Sequence, residues 1–251
     1  MSLFGNLSKN GLEESQDRVG GFGPIESDYY PSVIKQAYAT TAASGAKAVN
    51  FEFTMPAGKT LRTTIYVTDK QGKNYFLNKD DKTKKVPLPG FTTVDDICLC
   101  TVEKELSEMD VEEKVVKIYD YEQKKEVPTN VPVLTELLGK TVGLGVLKIL
   151  ENKSKKNDAG DYEVIAEERE INEIDKVFHD ETGFTVVEVR AGLEEPTFRA
   201  GWIERNKGKT RDKRKIKDGQ AGAPTSSSGK PAPTAGATGS GERKSLFGKK
   251  S

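Results

Sequence analysis

Histidine and cysteine are nearly missing from this chain: its 251 residues include one His and two Cys. A four-ligand zinc site of nitrogen and sulfur donors would need all three, plus a carboxylate. A Ser-His-Asp triad would have to use His179, which lies in the charged run Phe178-His179-Asp180-Glu181 and reads as an ordinary surface residue. No nucleophile elbow is present, and the carboxylates are scattered without a pairing pattern. Leu138-Gly139-Lys140-Thr141 resembles the end of a P-loop, but position 134 is Leu where that motif needs Gly, and the flanking elements come in the wrong order. The composition therefore argues against an enzyme, and neither a cofactor nor a metal is expected. The spacing Cys98-x-Cys100 does not build a secreted disulfide scaffold. Two small core residues on a helix are the simplest reading, with a redox or metal pair as the alternative. No apolar run approaches the ~20 residues of a spanning helix, and Met1 to Asn6 lack the regions of a signal peptide. An intracellular protein that does not enter a membrane is the expectation.

Net charge is also missing, since 39 basic residues balance 39 acidic ones. The balance is a sum of unlike pieces. From Glu204 to Ser251 there are 13 basic and 4 acidic residues, a net of +9, which leaves a net of −9 on residues 1–203. Within the acidic part, Lys59 to Phe91 carries eight basic and three acidic residues, a net of +5, whereas Asp158 to Glu181 carries a net of −8. A fold that holds both segments presents one positive and one negative face. The basic C-terminal arm is then able to fold back on the acidic face.

Hydropathy patterning points to an all-β domain with one main helix. Residues 1–30 are rich in Gly, Ser and Asn and read as an N-terminal extension. Val33 to Thr41 alternates loosely, and Ala46 to Met55 alternates cleanly with Val49, Phe51, Phe53 and Met55 on one face. Thr60 to Thr68 is the clearest strand, with Leu61, Thr63, Ile65 and Val67 inward and Arg62, Thr64 and Tyr66 outward. A turn at Lys70 to Lys73 leads to a short strand from Asn74 to Leu77. Thr93 with Asp96 resembles a capping box, and Val94, Ile97, Cys98, Thr101 and Val102 follow at helical spacing. Further strands are expected at Val115 to Tyr119, Thr141 to Leu150, Tyr162 to Glu168 and Phe184 to Arg190, with a short helix at Leu134 to Leu138. Seven or eight strands and one solid helix make a small barrel or sandwich, assigned to residues 31–205. Residues 206–251 form a basic tail, in which Lys217 to Ser245 contains no Val, Ile, Leu, Met, Phe, Trp or Tyr and reads as a disordered linker.

The segment from Lys59 to Phe91 is the best candidate site. It interleaves Tyr66, Tyr75, Phe76 and Phe91 with Arg62, Lys70, Lys73, Lys79, Lys84 and Lys85. Cations along a phosphate backbone and flat rings under exposed bases are what single-stranded nucleic acid requires, with stacking contributing about 1–3 kcal/mol per base. The plainer alternative makes Tyr66 and Phe76 core aromatics and the lysines ordinary surface. The run from Arg205 to Lys217 reads either as a second phosphate contact or as a solubilising tail. Ser-Leu-Phe-Gly occurs at Ser2 to Gly5 and again at Ser245 to Gly248, and the two copies suggest short interaction motifs.

The stretch Gly11-Leu12-Glu13-Glu14-Ser15-Gln16-Asp17-Arg18-Val19-Gly20-Gly21-Phe22 resembles the opening of single-stranded DNA-binding proteins from podoviruses of the large-virion-polymerase group. Gly72-Lys73-Asn74-Tyr75, Leu88-Pro89-Gly90-Phe91 and Asn206-Lys207-Gly208-Lys209-Thr210-Arg211-Asp212 are similar to later segments of that family. The likeness spans residues 1–215 and the last few residues. It implies an OB-fold barrel and sequence-independent binding of single-stranded DNA in phage replication and recombination, hence a location in the host bacterial cytoplasm. Tyr75 matches the family's aromatic DNA-contact position. Lys249 and Lys250, with Leu246 and Phe247 beside them, resemble a segment that engages host RNA polymerase in late transcription, and phage replication proteins are further implied partners. A basic C-terminus departs from the acidic tail of many single-stranded DNA-binding proteins. The alternative from another class is a protein-interaction adaptor whose basic tail binds an acidic partner and whose barrel is only a scaffold.

Overall fold

The computed structural model describes residues 23–120, 123–157 and 162–216. Ten strands are described: β1 (Asp28–Thr41), β2 (Lys47–Thr54), β3 (Thr60–Tyr66), β4 (Tyr75–Leu77), β5 (Lys85–Pro87), β6 (Glu112–Asp120), β7 (Lys125–Val133), β8 (Thr141–Lys156), β9 (Tyr162–Phe178) and β10 (Thr210–Asp212). Three helices accompany them: α1 (Pro89–Val102), α2 (Val186–Arg190) and α3 (Phe198–Asn206). The protein is mainly β, with the strands antiparallel except where β10 runs parallel to β8.

β1 organises the sheet because two partners share its length. Its second half pairs with β2, its first half (Asp28 to Val33) pairs with β8, and Tyr38 bridges to Val133 of β7. β2 continues to β3, and β8 continues to β9. The loose alternation of Val33 to Thr41 has a structural cause. A bulge at Lys35, between Ile34 and Gln36, puts two residues of β1 opposite Glu52 and reverses the phase of the strand. Ile34 and Ala37 therefore both point inward although three residues separate them.

The core gathers Ile34 and Ala37 from β1, Val49, Phe51 and Phe53 from β2, Leu61 from β3, and Val142, Leu144 and Val146 from β8. Val94, Ile97 and Cys98 of α1 close it, and the helix packs against both β3 and β9. Phe51 and Phe53 stack with ring centroids 5.2 Å apart. Gly90, in the first turn of α1, makes this approach possible: a Cβ there would lie 2.2 Å from the Tyr66 carbonyl oxygen. A second cluster of Leu147, Ile149, Phe178 and Trp202 seats α3 on the other side of β8. Gly145 leaves room for it, since a Cβ there would lie 3.0 Å from the indole.

Several expectations need correction. The strand expected at Phe184 to Arg190 is α2, whose capping box joins Thr185 and Glu188. β-branched residues favoured strand, but a fully made cap sets the local conformation. The box proposed at Thr93 and Asp96 does not exist: α1 begins four residues earlier at Pro89, and the Thr93 hydroxyl donates back to the Pro89 carbonyl at 3.0 Å. The extension assigned to residues 1–30 ends sooner, because Ile25 packs on the core, Ser27 is buried and β1 begins at Asp28. The tail assigned from residue 206 begins later. Gly208 N–H donates to the Ser27 carbonyl at 2.8 Å and β10 pairs with β8. Both Lys215 and Ile216 donate backbone N–H to Asn152 Oδ1, at 2.7 and 2.8 Å.

Candidate nucleic-acid interface

The register of β1, β2 and β3 lays out an outward face in rows. Lys35 and Gln36, Glu52 and Arg62 form one row; Tyr38, Asn50 and Thr64 form the next; Thr40, Ala48 and Tyr66 form the third. Polar side chains tie the rows together. Asn50 Nδ2 donates to the Thr40 hydroxyl at 2.8 Å, and the Thr64 hydroxyl donates to Asn50 Oδ1 at 2.6 Å. Glu52 is only 5% exposed. Arg62 Nε donates to its Oε2 at 2.7 Å, and Lys35 Nζ lies 2.9 Å from its Oε1. Burial opposes ionisation of this carboxyl, but the two cations outweigh it and hold the group below its ordinary range. Arg62 thus sits on the expected face as half of an ion pair, with its side chain still about two-thirds exposed.

The hairpin β4–β5 follows β3, the strand that ends at Tyr66, and leads into α1. Asp69 shapes its entry by accepting from the backbone N–H of Gln71 and Lys73, both at 2.8 Å. Leu88 N–H donates to Asn74 at 2.8 Å and closes its base two residues before Gly90 packs on Tyr66. Pairing Tyr75 with Pro87 and Leu77 with Lys85 puts Tyr75 and Lys85 on one side, and Lys85 Nζ lies 4.5 Å from the Tyr75 ring centre. Phe76 and Leu77 are each nearly half exposed, and Tyr66 is 54% exposed. Large apolar groups in contact with water on a two-stranded ribbon are poorly placed for fold stability. Lys70, Lys73, Lys79 and Lys85 are exposed and form no ion pair among the described residues, while Lys84 pairs with Asp81 at 3.3 Å.

Of the expected site residues, Tyr66 ends β3, Lys70 and Lys73 lie in the turn after it, Tyr75 and Phe76 are on β4 with their rings on opposite sides of the ribbon, Lys79 and Lys84 are in its loop, and Lys85 begins β5. Phe91 is a correction: it lies in the first turn of α1 and packs on the core. Leu246, Phe247, Lys249, Lys250 and both Ser-Leu-Phe-Gly copies lie outside the described residues. Lys35 and Tyr38 escaped notice because a spacing of three places residues on opposite faces of a regular strand, and only the bulge brings them together. Lys114 and Lys117 were hidden in β6, where an open groove of about 270 Å³ runs between that strand and β1.

The other candidates serve the fold. Burial pushes the Cys98 thiol up to about 12 and the Cys100 thiol further still, so both stay protonated in the core. His179 is half-buried, and burial holds its imidazole below the usual range. Its Nδ1 accepts the Thr182 N–H at 3.2 Å in the turn between β9 and α2. Among the described residues no group of three or more His, Cys, Asp or Glu is placed to hold a metal ion. No described helix is long and apolar enough to cross a membrane. No protein-family model matches the chain, and no curated protein matches it in sequence.

Proposed function

We propose that this protein binds single-stranded DNA without reading its sequence, using the outward face of β1–β3 and the hairpin β4–β5. The observation that carries the reading is the exposure of the Tyr66 and Phe76 rings, with half-buried Tyr75 under Lys85, in a segment whose lysines are mostly not committed to ion pairs. Rings in this setting stack on bases of any identity, and the lysines neutralise phosphates. The order of elements supports an OB-type plan, with three antiparallel strands, a helix, and then the long pair β8–β9 returning to β1. In the described structure α1 packs between β3 and β9, where a direct ladder would close a barrel. The likeness to phage single-stranded DNA-binding proteins points the same way, and a role in phage replication and recombination follows from it.

Fluorescence anisotropy with a labelled oligothymidine and a duplex of equal length tests the proposal. Tighter binding of the single strand, weakening with log salt at about −0.7 per phosphate contact, is expected. Equal affinity for the duplex, or a salt-independent complex, defeats it.

A further inference from the structure

The groove between β1 and β6 borders the same strand that carries the outward rows. Its walls are Tyr38, Val115, Val133 and Leu138, and three lysines, Lys35, Lys114 and Lys117, surround them. Lys35 shares Glu52 with Arg62, and Lys114 pairs with Glu112 at 3.1 Å. Lys117 is exposed and forms no ion pair among the described residues. Val115 is 69% exposed at the lip, an unusual position for an aliphatic side chain unless something covers it. The volume, about 270 Å³, falls just under the ~300–1,000 Å³ of pockets that enclose a drug-sized ligand. It suits a smaller planar, anionic unit. Tyr38 offers such a unit a ring, the valines and leucine offer apolar contact, and Lys117 offers compensating charge.

We propose that this groove is an extension of the DNA track and takes a nucleotide of the same single strand after it has crossed Arg62 and Asn50. The proposal rests on the single-strand reading. Continuity argues for that occupant: Lys35 and Tyr38 belong to both the outward face and the groove, through the bulge in β1. β1 and β3 lie about 10 Å apart, two strand spacings, so a few nucleotides bridge them. The total then fits the ~4–16 nucleotides of one such module.

The test compares oligothymidines of about 6 and 16 nucleotides on the full chain and its Lys117→Gln variant. The longer one carries 5-iododeoxyuridine for photocrosslinking. The expected result is a salt slope lower by about 0.7 for the variant on the long oligonucleotide only, with crosslinking at Tyr38 as well as at the hairpin. An unchanged slope on the long oligonucleotide, with crosslinks only at Tyr66 or Tyr75, overturns the groove and leaves the single-strand reading standing. Equal weakening on both lengths also overturns it, because the groove would then belong to the primary site. Failure of the unaltered protein to bind either oligonucleotide removes both readings. An unchanged melting temperature confirms that Lys117→Gln has not disturbed the fold.

Discussion

Two lysine- and arginine-rich stretches, residues 59–91 and 205–216, look alike in the sequence and have opposite situations in the structure. In the second, Lys207 pairs with Asp28 at 3.0 Å, Arg211 with Asp175 at 3.5 Å and Lys213 with Glu173 at 2.6 Å, and Arg214 lies between Glu168 and Asp212. Three of those acids, Glu168, Glu173 and Asp175, belong to the acidic strand β9, so the segment offsets part of the −8 stretch found in the sequence. In the first, most lysines face water. A count of charge does not separate a stretch that completes the fold from one available to a ligand; the position of the nearest carboxylate does.

The comparison can be broken most severely at Trp202. Its indole is buried on Gly145, donates to Asp175 Oδ2 at 2.7 Å and meets Phe178 edge-on. Trp202→Ala should cost about 3–5 kcal/mol in chemical denaturation. It should also expose the amides of residues 215 and 216 to hydrogen exchange, while the hairpin stays unaffected. The next effect is on the other stretch. Tyr75→Ala should weaken single-strand binding by about 1–3 kcal/mol with no change in the denaturation midpoint, because only a hairpin contact with Lys85 is lost.

Glu52→Gln sharpens the contrast from the acidic side. It removes the one buried anion from the proposed DNA face, so stability should fall by about 1.5 kcal/mol, while affinity for single strands should rise, most of all at low salt. The folded-state carboxyl titrates below its ordinary 4.5. Its contribution to stability is therefore complete above that value and lost as pH falls through the lower, folded-state value. Acid denaturation of Glu52→Gln should accordingly lack that component. The smallest effect is expected for Lys213→Ala in melting experiments, since a solvent-exposed ion pair contributes little. Asn152 and Trp202 hold the segment instead.

Legibility followed the same division. The alternation of β2 and β3 and the helical spacing of Val94, Ile97 and Cys98 are local signals, and they located half of the core. The bulge at Lys35 is not local, because it exists only through Glu52 on the facing strand, and with it went Tyr38 and the groove. β7 carries Pro128 and Pro132, which its edge away from β6 tolerates because that edge meets β1 only at Val133. α3 buries only Trp202 fully and shows weak periodicity. The docking of residues 207–216 rests on Asn152 and on pairing with β8, both far away in the sequence. The interleaving of rings with cations drew attention to Tyr66 and Phe76, which are exposed, and to Tyr75, which is half-buried under Lys85. It failed for Phe91, where the start of α1 at Pro89 turned the ring inward.

On the single-strand reading the uncommitted lysines, not the paired ones, meet DNA. The direct measurement is the salt slope of oligothymidine affinity for two triple variants, Lys73/Lys79/Lys85→Gln and Lys207/Lys213/Arg214→Gln. The first should lower the slope by about 2, at ~0.7 per contact, and the second should leave it unchanged. A slope that falls for the second variant and holds for the first would place DNA on the ion-paired segment instead.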